Sequence, residues 1–286
     1  MERASRPPLL PPMQDLRCRE YTLPLTRTLL MGVLNVTPDS FFDGGRFLEA
    51  GAAVAQARRL LEDGADIIDI GAESSRPGSD PVAEEEEWER LRRVLEALLG
   101  ELKVPISVDT YKPGVADRAL TMGAHMLNDI TGLRDPGMIG VAARHKAAVV
   151  IMHMKGKPKM MYEEAHYGDV VSEVRDFLVA QACQAENAGI RDIVIDPGIG
   201  FAKTAQHSVE IIRRFREFTT LGYPVLAGPS RKSFLGHLTG APVEDRLEGT
   251  LAAVTAVILR GARIVRVHDV KECKRVALVA DAVRCA

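Results

Sequence analysis

The side chains best suited to chemistry in this chain fall directly after short apolar runs. Asn35 closes LLMGVLN, Glu73 follows IIDIGA with Ser75 and Arg76 behind it, Asp109 closes PISVD, and Asn128 and Asp129 close HMLND. Further on, His153 closes AVVIMH, Asp196 closes DIVID, Ser230, Arg231 and Lys232 follow PVLAGP, and Arg266 and His268 lie in RIVRVH. Carboxylates and amides come from the middle runs (Asp109, Asn128, Asp196), and cations from the second, seventh and eighth (Arg76, Lys232, Arg266, with His268). That sorting suits a ligand with two ends. One end is a planar heterocycle whose N–H donors Asp196 accepts as a charge-assisted bidentate pair. The other is a phosphate group met by Arg266, His268 and Arg76. Asn35 supplies an oxygen suited to Mg²⁺ held jointly with phosphate oxygens, and Met152 is placed to pack on a flat ligand. Each residue also has a plainer reading. Asp129 reads as a helix cap at least as well as a functional group, and Arg266 reads alternatively as an ion pair on the rim.

These residues must be positioned by something regular, and a repeated unit provides it. LLEDGADIIDIG (60–71), ALTMGAHMLNDI (119–130), QAENAGIRDIVIDPG (184–198) and ILRGARIVRVHD (258–269) all read as helix end, glycine, strand, polar residue. Gly64, Gly123, Gly189 and Gly261 stand where a left-handed residue stops a helix. The runs that follow are apolar without alternation, as in strands covered on both faces. Trp88, Leu91, Leu95 and Leu98, and again Leu247, Leu251, Val254 and Ile258, fall at helical spacing. With strands at 29–35, 105–110, 147–153 and 223–228, the count reaches about eight β/α units, which predicts a (β/α)₈ TIM barrel of the α/β class with its chemistry at the C-terminal strand ends. The rival, an open doubly wound sheet, lacks a GxGxxG after the first strand and any compositional break. The barrel is expected to be one domain over 15–286, with REYTLPL as a short strand or hairpin beneath it and a Pro-rich, disordered stretch at 1–14.

Composition narrows the function classes. The 286 residues are 46% hydrophobic and carry a net charge of -2, so no broad basic field exists to draw nucleic acid or an anionic membrane. No apolar run reaches membrane-span length, and the four cysteines lack metal-ligand or disulfide spacing, so a cytoplasmic protein is expected. MHMKGKPKMMYEEAHYGD (152–169) holds histidines and methionines without zinc or copper spacing, and no Ser-His-Asp or Cys-His set is evident.

From about residue 17 onward the chain resembles the dihydropteroate synthase family of pterin-binding enzymes. The ordered motifs GVLNVTPDSF, ESSRPGS, SVDTYK, NDITG, MHMKG, DPGIGFAKT, GPSRKSFLG and RVHDV carry the resemblance. It implies condensation of 6-hydroxymethyl-7,8-dihydropterin pyrophosphate with p-aminobenzoate in folate biosynthesis, with Mg²⁺ as cofactor and a homodimer as the assembly. By resemblance, Asp109, Asn128, Asp196 and Lys232 hold the pterin above Met152. Asn35, Ser75, Arg76, Arg266 and His268 serve the pyrophosphate, with Asn35 also the metal ligand. Phe41, Ser75, Arg76, Pro77, Phe201 and Ser233 shape the p-aminobenzoate pocket. Asp39 and Asp43, on a first loop that Gly44 and Gly45 let move, join Lys232 and Arg266 as the catalytic set. Ser75, Ile199, Ala202 and Ser208 depart from the residues common in the family, and none removes a ligand named above. A methyltetrahydrofolate methyltransferase should lack the SRPG and SRKS motifs. A Schiff-base aldolase would use Lys232. A non-catalytic paralogue would lose several of the residues that stand here.

Overall fold

A computed structural model describes residues 15–36, 46–74, 79–156 and 165–285, so the 1–14 stretch lies outside it. The chain opens with β1 (Leu16–Cys18) and β2 (Tyr21–Leu23), an antiparallel hairpin, as expected for REYTLPL. There follow β3 (Leu29–Asn35), α1 (Arg46–Glu62), β4 (Ile67–Gly71), α2 (Glu84–Leu98), β5 (Ile106–Asp109), α3 (Pro113–Met122), β6 (Met126–Asp129), α4 (Pro136–His145) and β7 (Ala148–Met152). The second half adds α5 (Val170–Asn187), β8 (Ile193–Asp196), α6 (Ala205–Arg213), α7 (Arg216–Thr219), β9 (Leu226–Ala227), α8 (Ser233–Thr239), α9 (Leu247–Leu259), β10 (Ile264–Val267) and α10 (Val270–Cys285).

β3 to β10 form one parallel eight-stranded sheet in the order β8-β7-β6-β5-β4-β3-β10-β9. It closes where a bridge joins Ile195 to Val225 and the Ile195 N–H donates to the Pro224 carbonyl at 3.0 Å. The repeat read from the sequence is the βα unit of this TIM barrel. Gly64, Gly123, Gly189 and Gly261 have φ of 100°, 126°, 92° and 104°, a region that a Cβ disfavours. Trp88, Leu91, Leu95 and Leu98 are buried on α2 as expected. On α9 the core face is rotated from the predicted stripe: Thr250, Ala253, Val254, Val257 and Ile258 are buried, while Leu247 and Leu251 are half-buried.

Alternation along each strand separates two cores, because successive side chains point to opposite faces. Leu30, Leu34, Ile68, Ile70, Ile106, Val108, Val149, Ile151 and Val265 face the helices. Leu29, Met31, Ile67, Met126, Ala148, Val150, Val194, Leu226 and Ile264 fill the barrel, where Leu16, Cys18 and Leu25 from the hairpin region close its N-terminal end. Two residues further along the strands, the same inward parity carries Asp69, Asp109, Asn128, Met152, Asp196 and Arg266.

Candidate active site

Each strand end delivers its inward side chain to one place. Register aligns Gly71 with Asp109, Asp109 with Asn128, and Met152 with Asp196, so the residues form a tier across neighbouring strands. Arg266, from β10, reaches over the barrel interior. Its Nε donates to Asp69 Oδ2 at 2.7 Å and its Nη2 to Asp109 Oδ2 at 2.8 Å, while Asn128 Nδ2 donates to the same Asp69 oxygen at 3.0 Å. Arg266 is therefore ion-paired, but inside the barrel rather than on its rim. Asp196 Oδ1 accepts the Gly198 N–H at 2.7 Å. Lys232 Nζ lies 3.6 Å from the centroid of the Phe201 ring, and Phe201 joins Ile130, Met152, Met154 and Ala202 in an apolar wall. Above this tier lies a pocket with Asp109, Asn128, Asp196, Lys232 and Arg266 among its polar lining and Met152, Ile199 and Phe201 among its apolar lining. Apolar walls with convergent polar groups are the usual make-up of a small-molecule site.

Burial shapes the charges here. It pushes the Asp196 carboxyl up to about 6, against the Gly198 N–H and the nearby Lys232. It raises Asp109 as well, opposed by Arg266 and reinforced by Asp69. Burial, together with Arg266, pulls the Lys232 ammonium down to about 7, and Asp196 and Asp109 act in the other direction. Acid and amine thus titrate near neutrality, as is common where burial and specific charge partners meet in a cleft.

His268 differs from the cation expected of it. Ser230 Oγ accepts the His268 backbone N–H at 3.3 Å and lies 3.0 Å from Nδ1, within hydrogen-bond reach of the ring. Burial, then Arg266, hold the imidazole neutral down to about pH 3. The ring is consequently a hydrogen-bond donor rather than a charge. Asn35 is exposed at the end of β3, in register with Gly71 beside Asp109, and Ser233 is exposed at the start of α8. Asp129 neither caps a helix nor lines the pocket: its carboxylate accepts the N–H groups of Thr131 and Leu133 at 2.7 and 3.0 Å in the turn after β6, while Asp135 caps α4. Asp39, Phe41, Asp43, Ser75, Arg76 and Pro77 lie outside the described residues. At the base of the second loop, Tyr111 Oη donates to Glu73 Oε1 at 2.6 Å and Lys112 bridges Glu73 and the buried Glu87.

Two buried charges at the site were missed in the sequence. Asp69 is fully buried and ties Arg266 to Asn128, with its Oδ1 left without a partner among the described residues. Its signal was parity alone, a carboxylate two residues beyond an inward isoleucine. Lys203 is 2% exposed behind the pocket wall and donates to His153 Nδ1, the His153 carbonyl and the Phe201 carbonyl at 3.0, 3.2 and 3.0 Å. Nothing in its spacing distinguished it from a surface lysine. Among the described residues, no group of three or more His, Cys, Asp or Glu is arranged to hold a metal ion, and no helix is long and apolar enough to cross a membrane.

Known proteins share this arrangement. The family described as pterin binding enzyme matches residues 31–268. The dihydropteroate synthase of Synechocystis sp. is 46% identical over 260 residues, covering 90% of this chain and 90% of that one. A structure of Xanthomonas albilineans dihydropteroate synthase with 4-aminobenzoic acid superposes with a TM-score of 0.90 at 44% identity, covering 96% of this chain and 99% of that one. The Thermus thermophilus enzyme in complex with 6HMPPP gives 0.83 at 45% identity, covering 94% and 100%. Because the matched span runs from the first barrel strand to the histidine after the last, and takes in the whole polar tier, the chain belongs to the dihydropteroate synthase family of pterin-binding enzymes.

Proposed function

We propose that the chain condenses 6-hydroxymethyl-7,8-dihydropterin pyrophosphate with p-aminobenzoate to give 7,8-dihydropteroate and pyrophosphate. The observation that carries this reading is one pocket lined together by the acceptors of Asp109, Asn128 and Asp196 and the cations of Arg266 and Lys232. Asp196 accepts the ring N–H groups of the pterin, Asn128 and Lys232 complete its edge, and Met152 supports its face. Arg266, pinned by Asp69 and Asp109, is a fixed cation that needs no reorientation when charge moves toward the leaving group. By the family resemblance, His268 and Asn35 would serve the pyrophosphate end, as would Ser75 and Arg76.

In the reaction the methylene C–O bond breaks and its electron pair leaves with pyrophosphate; the arylamine nitrogen then forms the C–N bond and loses a proton. An arylamine is neutral at pH 7, so no strong base is required. By the family resemblance, Asp39 and Asp43 would supply carboxylates to the electron-poor methylene, and Phe41, Pro77, Phe201 and Ser233 would form the arylamine pocket that keeps water out. The exposed Asn35 side chain at the end of β3 offers an amide oxygen that would help hold Mg²⁺. When bound, the ion neutralises charge on the departing pyrophosphate.

The homodimer has a candidate surface on α10, where Leu278, Val279 and Val283 are 59%, 67% and 61% exposed. A cytoplasmic setting is supported by the free thiols of Cys18, Cys183 and Cys273. The test mixes purified protein with both substrates and Mg²⁺, with and without EDTA, and follows dihydropteroate by mass spectrometry. Product that disappears with EDTA supports reaction and metal together. Pterin binding without product removes the synthase reading.

A further inference from the structure

The loop after β8 holds three residues in the left-handed region, and one of them is not a glycine. Gly198, Gly200 and Ala202 have φ of 67°, 81° and 48°, and Ala202 is an L-residue in the left-handed region, where its Cβ crowds the backbone. A Cβ at Gly198 would stand 2.0 Å from the His153 carbonyl oxygen, so the loop lies directly against the end of β7. Such a loop persists only when its surroundings over-determine it.

Two side chains provide that constraint. The Lys203 ammonium has three N–H donors, and all three are used: on His153 Nδ1, on the His153 carbonyl and on the Phe201 carbonyl. Tyr167 Oη donates to the Ala202 carbonyl at 2.9 Å, and its ring lies 3.9 Å beneath Lys155 Nζ. The Phe201 carbonyl is therefore tied through Lys203 to the end of β7, and the Ala202 carbonyl is held by Tyr167 from outside the loop. Phe201 itself turns the other way, with its ring against Lys232 in the pocket.

We propose that Lys203 and Tyr167 form a backbone clamp that fixes Phe201 as the wall between the pterin and arylamine subsites. Both are positioning residues and touch neither substrate. The inference rests on the proposed function for the identity of the two subsites. Because Ala202 holds a left-handed conformation, the loop leans on the clamp more than a glycine at that position would.

The experiment compares wild type with Tyr167→Phe, which removes one hydroxyl, and Lys203→Met, which keeps the stem and removes the ammonium. Loss of pre-organisation is expected to raise the KM for p-aminobenzoate about tenfold in Lys203→Met and about threefold in Tyr167→Phe, with the KM for the pterin substrate within about twofold. Adding Ala202→Gly to Tyr167→Phe should bring back part of the lost KM, a rescue that general destabilisation would not give. Hydrogen exchange of the 198–203 amides, read without substrate, should quicken in both single variants. Unchanged exchange and unchanged arylamine KM in Tyr167→Phe overturn the clamp, whatever the folding of Lys203→Met. If wild type forms no product while the variants still speed loop exchange, the synthase reading fails and the clamp on Phe201 stands.

Discussion

The barrel interior has two halves built on the same strands with the same inward parity. In the lower half Ile67, Met126, Val194 and Ile264 meet the hairpin plug in a dry core. Two residues higher, the corresponding positions are Asp69, Asn128, Asp196 and Arg266. Backbone geometry is common to both halves, so the difference isolates what side-chain chemistry does. The lower half stabilises by removing apolar area from water, while the upper half gathers charges that must compensate one another. One half holds the barrel together, and the other uses it.

Removing Arg266 is expected to break this division most severely, since it strips the partner from the fully buried Asp69 and from Asp109 at once. Arg266→Ala should lose pterin-pyrophosphate binding in calorimetry and destabilise the fold by about 3–5 kcal/mol in denaturant titration. The double variant Asp69→Asn/Arg266→Met should recover most of the stability and none of the binding, which separates the two roles. In the lower half, Ile67→Ala should cost about 2–5 kcal/mol while leaving kcat/KM of the folded protein within about twofold. A comparable activity loss there would erase the contrast.

The pH dependence sharpens it further. Asp196 is raised to about 6, so its contribution favours the fold at acid pH and is lost as pH rises through about 6. Lys232 is lowered to about 7, so its contribution is present above the ordinary lysine range and is lost as pH falls through about 7. Near neutrality the upper half is at its least favourable and a ligand has most to offset. Pterin affinity should fall as pH drops below about 6, by up to about tenfold per unit, because a protonated Asp196 no longer accepts two N–H donors. Asp196→Asn should flatten that profile in calorimetry. The smallest effect belongs to Ser107, whose buried hydroxyl has no partner among the described residues. Ser107→Ala should change stability by no more than about 1 kcal/mol in either direction, since no hydrogen bond is lost.

Strand existence and helix ends were legible because glycines and apolar runs respond to local sterics and burial. Asp109, Asn128, Asp196 and Lys232 were legible because strand ends expose functional types where a barrel puts its chemistry. Asp69 was not, since a carboxylate amid isoleucines carries no mark until the barrel closes and Arg266 arrives from a strand almost two hundred residues away. Lys203 was hidden for a similar reason: its three acceptors belong to a neighbouring strand end and to a turn whose shape depends on that contact. The charge state of His268 also needed three dimensions, because only the fold sets Ser230 on its Nδ1 and Arg266 beside it.

The seam between β8 and β9 is a clasp closed by one bridge, and β9 is a two-residue strand. Asp196 stands on one side of that clasp, with Gly228 and Lys232 on the other. On the proposed reading, a pterin held by Asp196 and Lys232 would span that joint like a rivet. Filling the pocket would then add contacts to the hoop where its backbone pairing is thinnest.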